Sequence, residues 1–478
     1  MKRVAYISLS ANSWQRAALL DSAINLAISH SAKVSFFQLY RGETSLIDFP
    51  LTSKLDYLRA KWQDNRVNRE FQHDLFEIVP MKLRVKDEIE EIDALAIQVG
   101  VEETIVKTRD SKPCEVHSKL SSQHYAETYL AFYESAKSFF KEAQPDLVYI
   151  FNGRFYREKA FWHAAVDLGI EVNFIERFSP NWHDRYFEFK RPVHDISYRC
   201  YAMQHFMREF CGSHGITKAK EIASKWFDER AAGIGQTFTS RQNVIFQRNN
   251  SYSKQIVFFH SSEDELFTTE LGSSKWADQI SFLEDLIESL KSHPEILLVV
   301  RLHPNLAFKS PREIRRWMSF AKSILASNVK FLMQDSPVNS YYLIRSSDCV
   351  ITFGSTIGVE ATHMGKPSFL VSHAFHELLN VTKNVSNLIE LMDSILALEN
   401  LSPPDDLSTN TIPYGLFHAV GGVKFRHLKP LGEKKEQDQP FQFDGVSLGT
   451  LRIISLVRKI EGLLYRSLGL FNRYDCKC

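Results

Sequence analysis

Short apolar runs alternate with stretches of helical spacing in two series along this chain. The first series opens at Arg3–Leu9 (RVAYISL). It continues through Trp14–His30, where Ala17, Leu20, Ala23, Ile24 and Ala27 share one face, and returns to an apolar run at Lys33–Leu39. This strand–helix–strand order predicts a parallel sheet. The turn Ser10-Ala11-Asn12-Ser13 lacks the GxGxxG fingerprint of a dinucleotide site. The pattern resumes with a strand at Asp146–Phe151, a helix from about 158 to 168 stopped by Gly169, and a strand at Val172–Ile175.

Between these parts, residues 45–135 are rich in charge and helix formers and read as a helical insertion. Its acidic run, Asp87–Asp93, reads as a solvated helix face. Residues 181–245 read as helical and polar, with aromatics in front, and Arg241–Lys254 has the composition of a linker.

The second series is clearer. Strands are predicted at Gln255–Phe259, Ile296–Val300, Val329–Met333, Cys349–Phe353 and Ser368–Val371. The helices between them fall at about 276–292, 311–325, 340–344 and 357–364. Gly365-Lys366-Pro367 stops the last helix. Beyond about residue 400 the sheet pattern stops, and residues 428–442 read as loop. Residues 447–471 read as a helix with Leu451, Ile454, Val457, Leu464 and Leu468 near one stripe and basic residues beside it. Such a helix can pack on a domain or lie on an anionic membrane surface. The fold class is therefore α/β, with an N-terminal Rossmann-like domain over 1–245 that carries the insertion. A C-terminal Rossmann-like domain follows over 255–405, and then a tail over 406–478. Two such domains facing one another leave a cleft between their strand ends.

Composition adds exclusions. The 478 residues suffice for two or three domains, and 44% hydrophobic with 24% charged residues is globular composition. The formal net charge of +1 gives no global field for nucleic acid. The six cysteines include no CxxC pair, and no secretory signal precedes the first strand, so a cytoplasmic setting is expected. No apolar run approaches the length of a membrane-spanning helix.

Ligands in parallel sheets gather at the carboxyl ends of strands, which selects the candidate residues. In the first domain these are Asn152 and Arg154 after one strand, and Glu176 and Arg177 after the next. In the second domain His260–Glu263, Arg301–Pro304 and Ser355–Glu360 occupy the corresponding exits. Arg301 and His303 can neutralise a phosphate, with Arg301 a bidentate donor. Pro304 would fix the turn that holds His303. Ser355 and Thr356, at a helix N-terminus, complete a cradle for a phosphate-bearing leaving group. Glu360, one turn into that helix, could reach a ribose or sugar hydroxyl. For a base that takes the acceptor proton, Glu176 is the first choice, with Asp195 and Glu263 in reserve. No DxD pair, HExxH, Walker A or GxSxG motif is present, so neither a metal nor a resident cofactor is expected.

The segments RLHP (301–304) and SDCVITFGSTIGVEATHMGKP (347–367) resemble bacterial capsule and surface polysaccharide biosynthesis proteins. FNGR (151–154) followed by IER (175–177) is similar to the first-domain pattern of that group. The resemblance implies a metal-independent glycosyltransferase of GT-B architecture working from a nucleotide-sugar donor onto a polysaccharide or lipid-linked acceptor. In relatives that use CMP-linked acidic sugars (Kdo and sialic acid transferases), an HP motif and a Ser/Thr pair hold the nucleotide and its phosphate. By that likeness His303, Pro304, Ser355 and Thr356 are donor-site residues, and Glu360 contacts nucleotide or sugar. Polyol-phosphate transferases share a similar pattern. A sugar-nucleotide epimerase of the same build and an inactive assembly subunit are the rival readings.

Overall fold

The computed structural model describes residues 1–9, 13–29, 31–39, 51–81, 115–177, 184–234, 244–261, 276, 278–309, 311–398, 407–430, 441–443 and 446–448. The chain divides into two α/β units. The first runs to Val193 and takes up the chain again at Gly422; the second comprises His194–Gly421.

In chain order the first unit contains β1 (Lys2–Ser8), α1 (Ser13–Ile28), β2 (Ala32–Leu39), α2 (Leu51–Glu70), β3 (Phe76–Met81), α3 (Glu115–Ala143), β4 (Leu147–Phe151), α4 (Tyr156–Asp167), β5 (Glu171–Arg177) and β6 (Arg185–Phe189). The alanines of α1 let it lie close on the sheet, where Ala17, Ala23 and Ala27 bury with Val4, Tyr6, Val34 and Phe36. The expected insertion is not wholly helical, because β3 lies inside it and forms the parallel edge of the sheet beside β2. Its helix α2 is docked by a buried ion pair between Arg16 and Asp64. The acidic run at 87–93 lies outside the described residues.

The second unit contains α5 (Ile196–His214), α6 (Ile216–Ala231), β7 (Lys254–Phe259), α7 (Gln279–Leu290), β8 (Ile296–Arg301), α8 (Pro311–Ser323), β9 (Val329–Leu332), α9 (Ser340–Ser346), β10 (Cys349–Thr352), α10 (Ile357–His363), β11 (Ser368–Leu370), β12 (Lys383–Asn384), α11 (Leu388–Leu396), α12 (Leu407–Asn410) and α13 (Ile412–Val420). Its sheet is parallel throughout, in the order β12-β11-β10-β7-β8-β9. The central strands are apolar through most of their length because both faces are covered. Ile256 and Phe258 enter one core, and Val257 and Phe259 enter the core on the other side.

Two boundaries differ from the sequence expectation. Helices α5 and α6 belong to the second unit rather than the first. Ala219 and Ala223 of α6 bury against Ile412 and Leu416 of α13, a pairing across the chain that leaves no periodic trace. After Gly422 the chain adds β13 (Val423–Lys424), β14 (Leu428–Pro430), β15 (Phe441–Phe443) and β16 (Val446–Leu448). β13 pairs antiparallel with β6, giving the first sheet the order β13-β6-β5-β4-β1-β2-β3, and β14–β16 form a small antiparallel sheet. Strands of two or three residues are too short to show alternation, so this part reads as loop. The helix expected over 447–471 begins on β16, and its remainder lies outside the described residues. Among the described residues no helix is long and apolar enough to cross a membrane.

Candidate functional site

In the first unit, the exits of β4 and β5 are brought together as expected. Asn152 has a left-handed backbone (φ 60°), Gly153 follows at φ 77°, and the Asn152 Oδ1 accepts from the Arg154 N–H at 3.0 Å. Glycine is required at 153 twice over. Its φ disfavours a side chain, and a Cβ there would come within 2.4 Å of the buried Phe174 ring. The Asn152 Nδ2 donates to Glu176 Oε2, and the Arg177 N–H donates to Glu176 Oε1 at 2.7 Å. Both carboxylate oxygens of Glu176 thus serve the turn that shapes this rim. Arg154 is buried, with its guanidinium 5.9 Å from the Phe155 ring centroid, and Arg177 is exposed.

Asp195 has a structural use. It is the N-cap of α5, accepting from the Tyr198 N–H at 2.8 Å, the ordinary way to satisfy a free donor of a first helical turn. Glu263 lies outside the described residues.

In the second unit the exits of β7, β8 and β10 are adjacent because those strands are neighbours. His303 follows β8 and caps the short 3-10 turn Pro304–Phe308, its Nδ1 accepting from the Asn305 N–H at 3.0 Å. Pro304 occupies the first position of that turn, where a missing N–H costs nothing. With Nδ1 an acceptor, the neutral His303 ring carries its proton on Nε2 and can donate from there. The backbone N–H of His303 is itself held at 3.2 Å by Nδ1 of His260, the residue after β7. Burial, with the neighbouring His303 and Lys309, pushes the His260 ring far below the ordinary histidine range, so it is neutral.

Two residues expected as ligand contacts are engaged elsewhere. Arg301 is 1% exposed and donates through Nη1 to the Met333 carbonyl and through Nη2 to the Ser336 carbonyl. Burial lowers its guanidinium to about 10 against the opposing pull of Asp335. Its forked head fastens the loop after β9 and is not placed as a bidentate phosphate donor. Glu360 is 3% exposed and takes both Nε (3.1 Å) and Nη2 (2.8 Å) of Arg230 on its Oε1, while the Tyr341 hydroxyl donates to Oε2. It ties α10 to α6 and α9 instead of reaching for a sugar. Arg230 stands 130 residues from Glu360, and nothing local in the sequence announces the pair.

Ser355 and Thr356 are where they were expected, between β10 and α10. The Ser355 Oγ accepts from the Ile357 N–H at 3.4 Å, a long contact. Thr356 makes no cap bond. Among the described residues no group of His, Cys, Asp and Glu could hold a metal ion.

These exits lie in a recognisable stretch. Residues 185–392 match the family of capsule polysaccharide biosynthesis proteins. The matched capsule-family segment is a little under half of the chain. It begins at β6, covers β7–β12, ends within α11, and contains both the His303 turn and Ser355–Thr356. The resemblance read from RLHP and from the 347–367 segment falls inside it. No curated protein matches the chain significantly.

Solved structures similar to the chain include two β-Kdo transferase domains of Thermosulfurimonas dismutans KpsC. The 2,4 transferase is 13% identical, with 56% of this chain and 79% of that one covered and a TM-score of 0.33. The 2,7 transferase is 13% identical, with 59% and 80% covered and a TM-score of 0.35. The UDP-GlcNAc 2-epimerase of Neisseria meningitidis is also 13% identical, over 88% of this chain and 97% of that one, with a TM-score of 0.31. Scores this low carry no functional weight.

Proposed function

We propose that this protein is a glycosyltransferase that moves a sugar from a nucleotide donor onto a growing capsule or surface polysaccharide. The capsule-family match over 185–392, which encloses the His303 turn and the Ser355–Thr356 turn, is the observation that carries this reading. The chemistry of those turns supports it. The Asn305 N–H on Nδ1 holds the His303 ring, and the His303 backbone N–H donates to Nδ1 of His260, so ring and backbone are both fixed and the Nε2–H is oriented in advance. A prepositioned donor stabilises charge developing on a departing phosphate without reorganising, and the Ser355 and Thr356 hydroxyls stand at the exit of β10, one strand removed across β7. The donor nucleotide and its phosphate are assigned to His303, Pro304, Ser355 and Thr356, with no metal. The acceptor-side rim is assigned to Asn152, Arg154, Glu176 and Arg177, with Glu176 as the base. The setting proposed is cytoplasmic, at the inner face of the membrane.

A thermal-shift panel with CMP, CDP, UDP, GDP and dTDP tests the donor site. One nucleotide at ~100 times its Kd should add about 2.7 kcal/mol of stability. His303→Ala should abolish the shift while the protein stays folded. No shift with any nucleotide, or an unchanged shift in His303→Ala, would refute the assignment. Glu176→Gln should then retain the nucleotide shift but lose sugar transfer by a factor of about 100 or more. Normal turnover in that variant would remove Glu176 as the base.

A further inference from the structure

We propose that Ser261 and His260, at the end of β7, are additional hydrogen-bond donors to a phosphate oxygen of the bound nucleotide. This rests on the nucleotide-donor reading above and deepens it. From β7 the chain steps outward to β8 and β9, then crosses back to place β10 on the other side of β7. The strand order therefore reverses between β7 and β10, where Phe259 and Thr352 are register partners. In open α/β sheets the crevice outside the carboxyl ends at such a reversal is the preferred ligand site. His260 and Ser261 leave β7 on one side of it, and Gly354 and Ser355 leave β10 on the other.

The backbone of Ser261 is held with unusual care. The amide of Gln279, itself fully buried, accepts from the Ser261 N–H at 2.8 Å and donates to the Ser261 carbonyl at 2.9 Å. His260 is fixed through its Nδ1 bond to the His303 N–H and by an edge-on contact with Trp317, ring centroids 4.5 Å apart. That leaves the imidazole proton on Nε2. Yet His260 Nε2 and Ser261 Oγ, on residues 2% and 4% exposed, have no hydrogen-bond partner among the described residues. Buried donors without acceptors cost stability and are rare. Here the two belong to consecutive residues on an immobilised backbone, at the strand reversal where β7 exits next to β10 and its Ser355–Thr356 turn. Both offer protons and neither carries charge, which suits a group rich in acceptors and free of donors. A phosphate is such a group.

The test is calorimetric titration of full-length protein with CMP, CDP, UDP, GDP, dTDP and inorganic phosphate, paired with the ligand-free Tm. Ser261→Ala should weaken the nucleotide that wild type binds by about tenfold or more. Its ligand-free Tm should equal or exceed that of wild type, because the deleted hydroxyl has no native bond to lose. Ser261→Thr keeps a hydroxyl and should bind within a few-fold of wild type. His260→Phe also removes the acceptor for the His303 N–H and serves only as a comparison. Unchanged affinity in Ser261→Ala, or a fall in both affinity and ligand-free Tm, would overturn the proposal. If wild type binds the nucleotide and His303→Ala does not, while Ser261→Ala binds normally, only this proposal fails. Wild type binding none of the probes would overturn it together with the donor reading.

Discussion

Replacing Glu360 by Gln is expected to destabilise the second unit by about 3–5 kcal/mol, the range for removing one partner of a buried ion pair. The carboxylate is 3% exposed, and Arg230 delivers two donors to one of its oxygens while its guanidinium lies 4.8 Å from the Trp226 ring centroid. The neutral amide would leave the partly buried Arg230 charge without its counter-charge. Folded domains are stable by only about 5–15 kcal/mol in total, so the loss should be visible as a fall in Tm of about 10 °C or more. The double variant Arg230→Met/Glu360→Gln should recover a substantial part, since the uncompensated charge goes with its partner. Urea denaturation of the three proteins would check this. An undiminished midpoint for Glu360→Gln with nucleotide binding lost would instead restore Glu360 as a ligand contact.

Asp21→Ala should cost about 3 kcal/mol or more in the first unit. Asp21 of α1 is completely buried, and its Oδ1 accepts the backbone N–H groups of His427 at 2.7 Å, Leu428 at 2.8 Å and Arg426 at 3.1 Å. Its Oδ2 accepts from Asn25 at 3.0 Å and from the Tyr186 hydroxyl at 3.2 Å. Alanine would orphan three main-chain donors at once, each worth about 1–3 kcal/mol when buried and unsatisfied. A fall in Tm of only a few degrees would show that the 426–428 segment finds water instead. Asp21→Asn keeps an acceptor for those donors and should behave differently with pH. Burial raises the Asp21 carboxyl above the usual 3.8 despite the opposing N–H bonds, so the folded protein holds that proton more tightly than the unfolded chain. Wild-type stability from this group is therefore full below 3.8 and declines as pH rises through the raised value. The Asn variant should compare more favourably with wild type at pH 7 than at pH 4. The reverse order in Tm measured at both values would refute this account.

The sheets were legible because their signals are local. β1, β2, β4, β7, β8 and β10 are runs that any fully covered parallel strand must resemble, and the turns after them contain the residues that alter their character. His303-Pro304 is also a local feature: Pro304 starts a turn, and the residue before it becomes a cap. The strand β3 inside the insertion was missed, since a single half-buried edge strand among charged helices differs little from its surroundings. The placing of α5 and α6 was missed because an amphipathic helix shows that it packs, never on what.

Sequence by itself determined the α/β class, the exits of β4, β5, β7, β8 and β10, and the type of chemistry gathered at each of them. Tertiary structure decided which of those residues remain available to a ligand. Arg301, Glu360 and Asp195 look like ligand groups in the sequence, and the fold spends them on the loop after β9, on Arg230 and on the first turn of α5. His260 is in the sequence one exit residue among several and Gln279 an ordinary helix start, yet the fold makes one fix the His303 turn and the other clasp Ser261. The physical reason is the same in each case. A buried polar group must find a partner wherever the chain brings one, and that partner can stand 130 residues away, as Arg230 does from Glu360, or more than 400, as His427 does from Asp21.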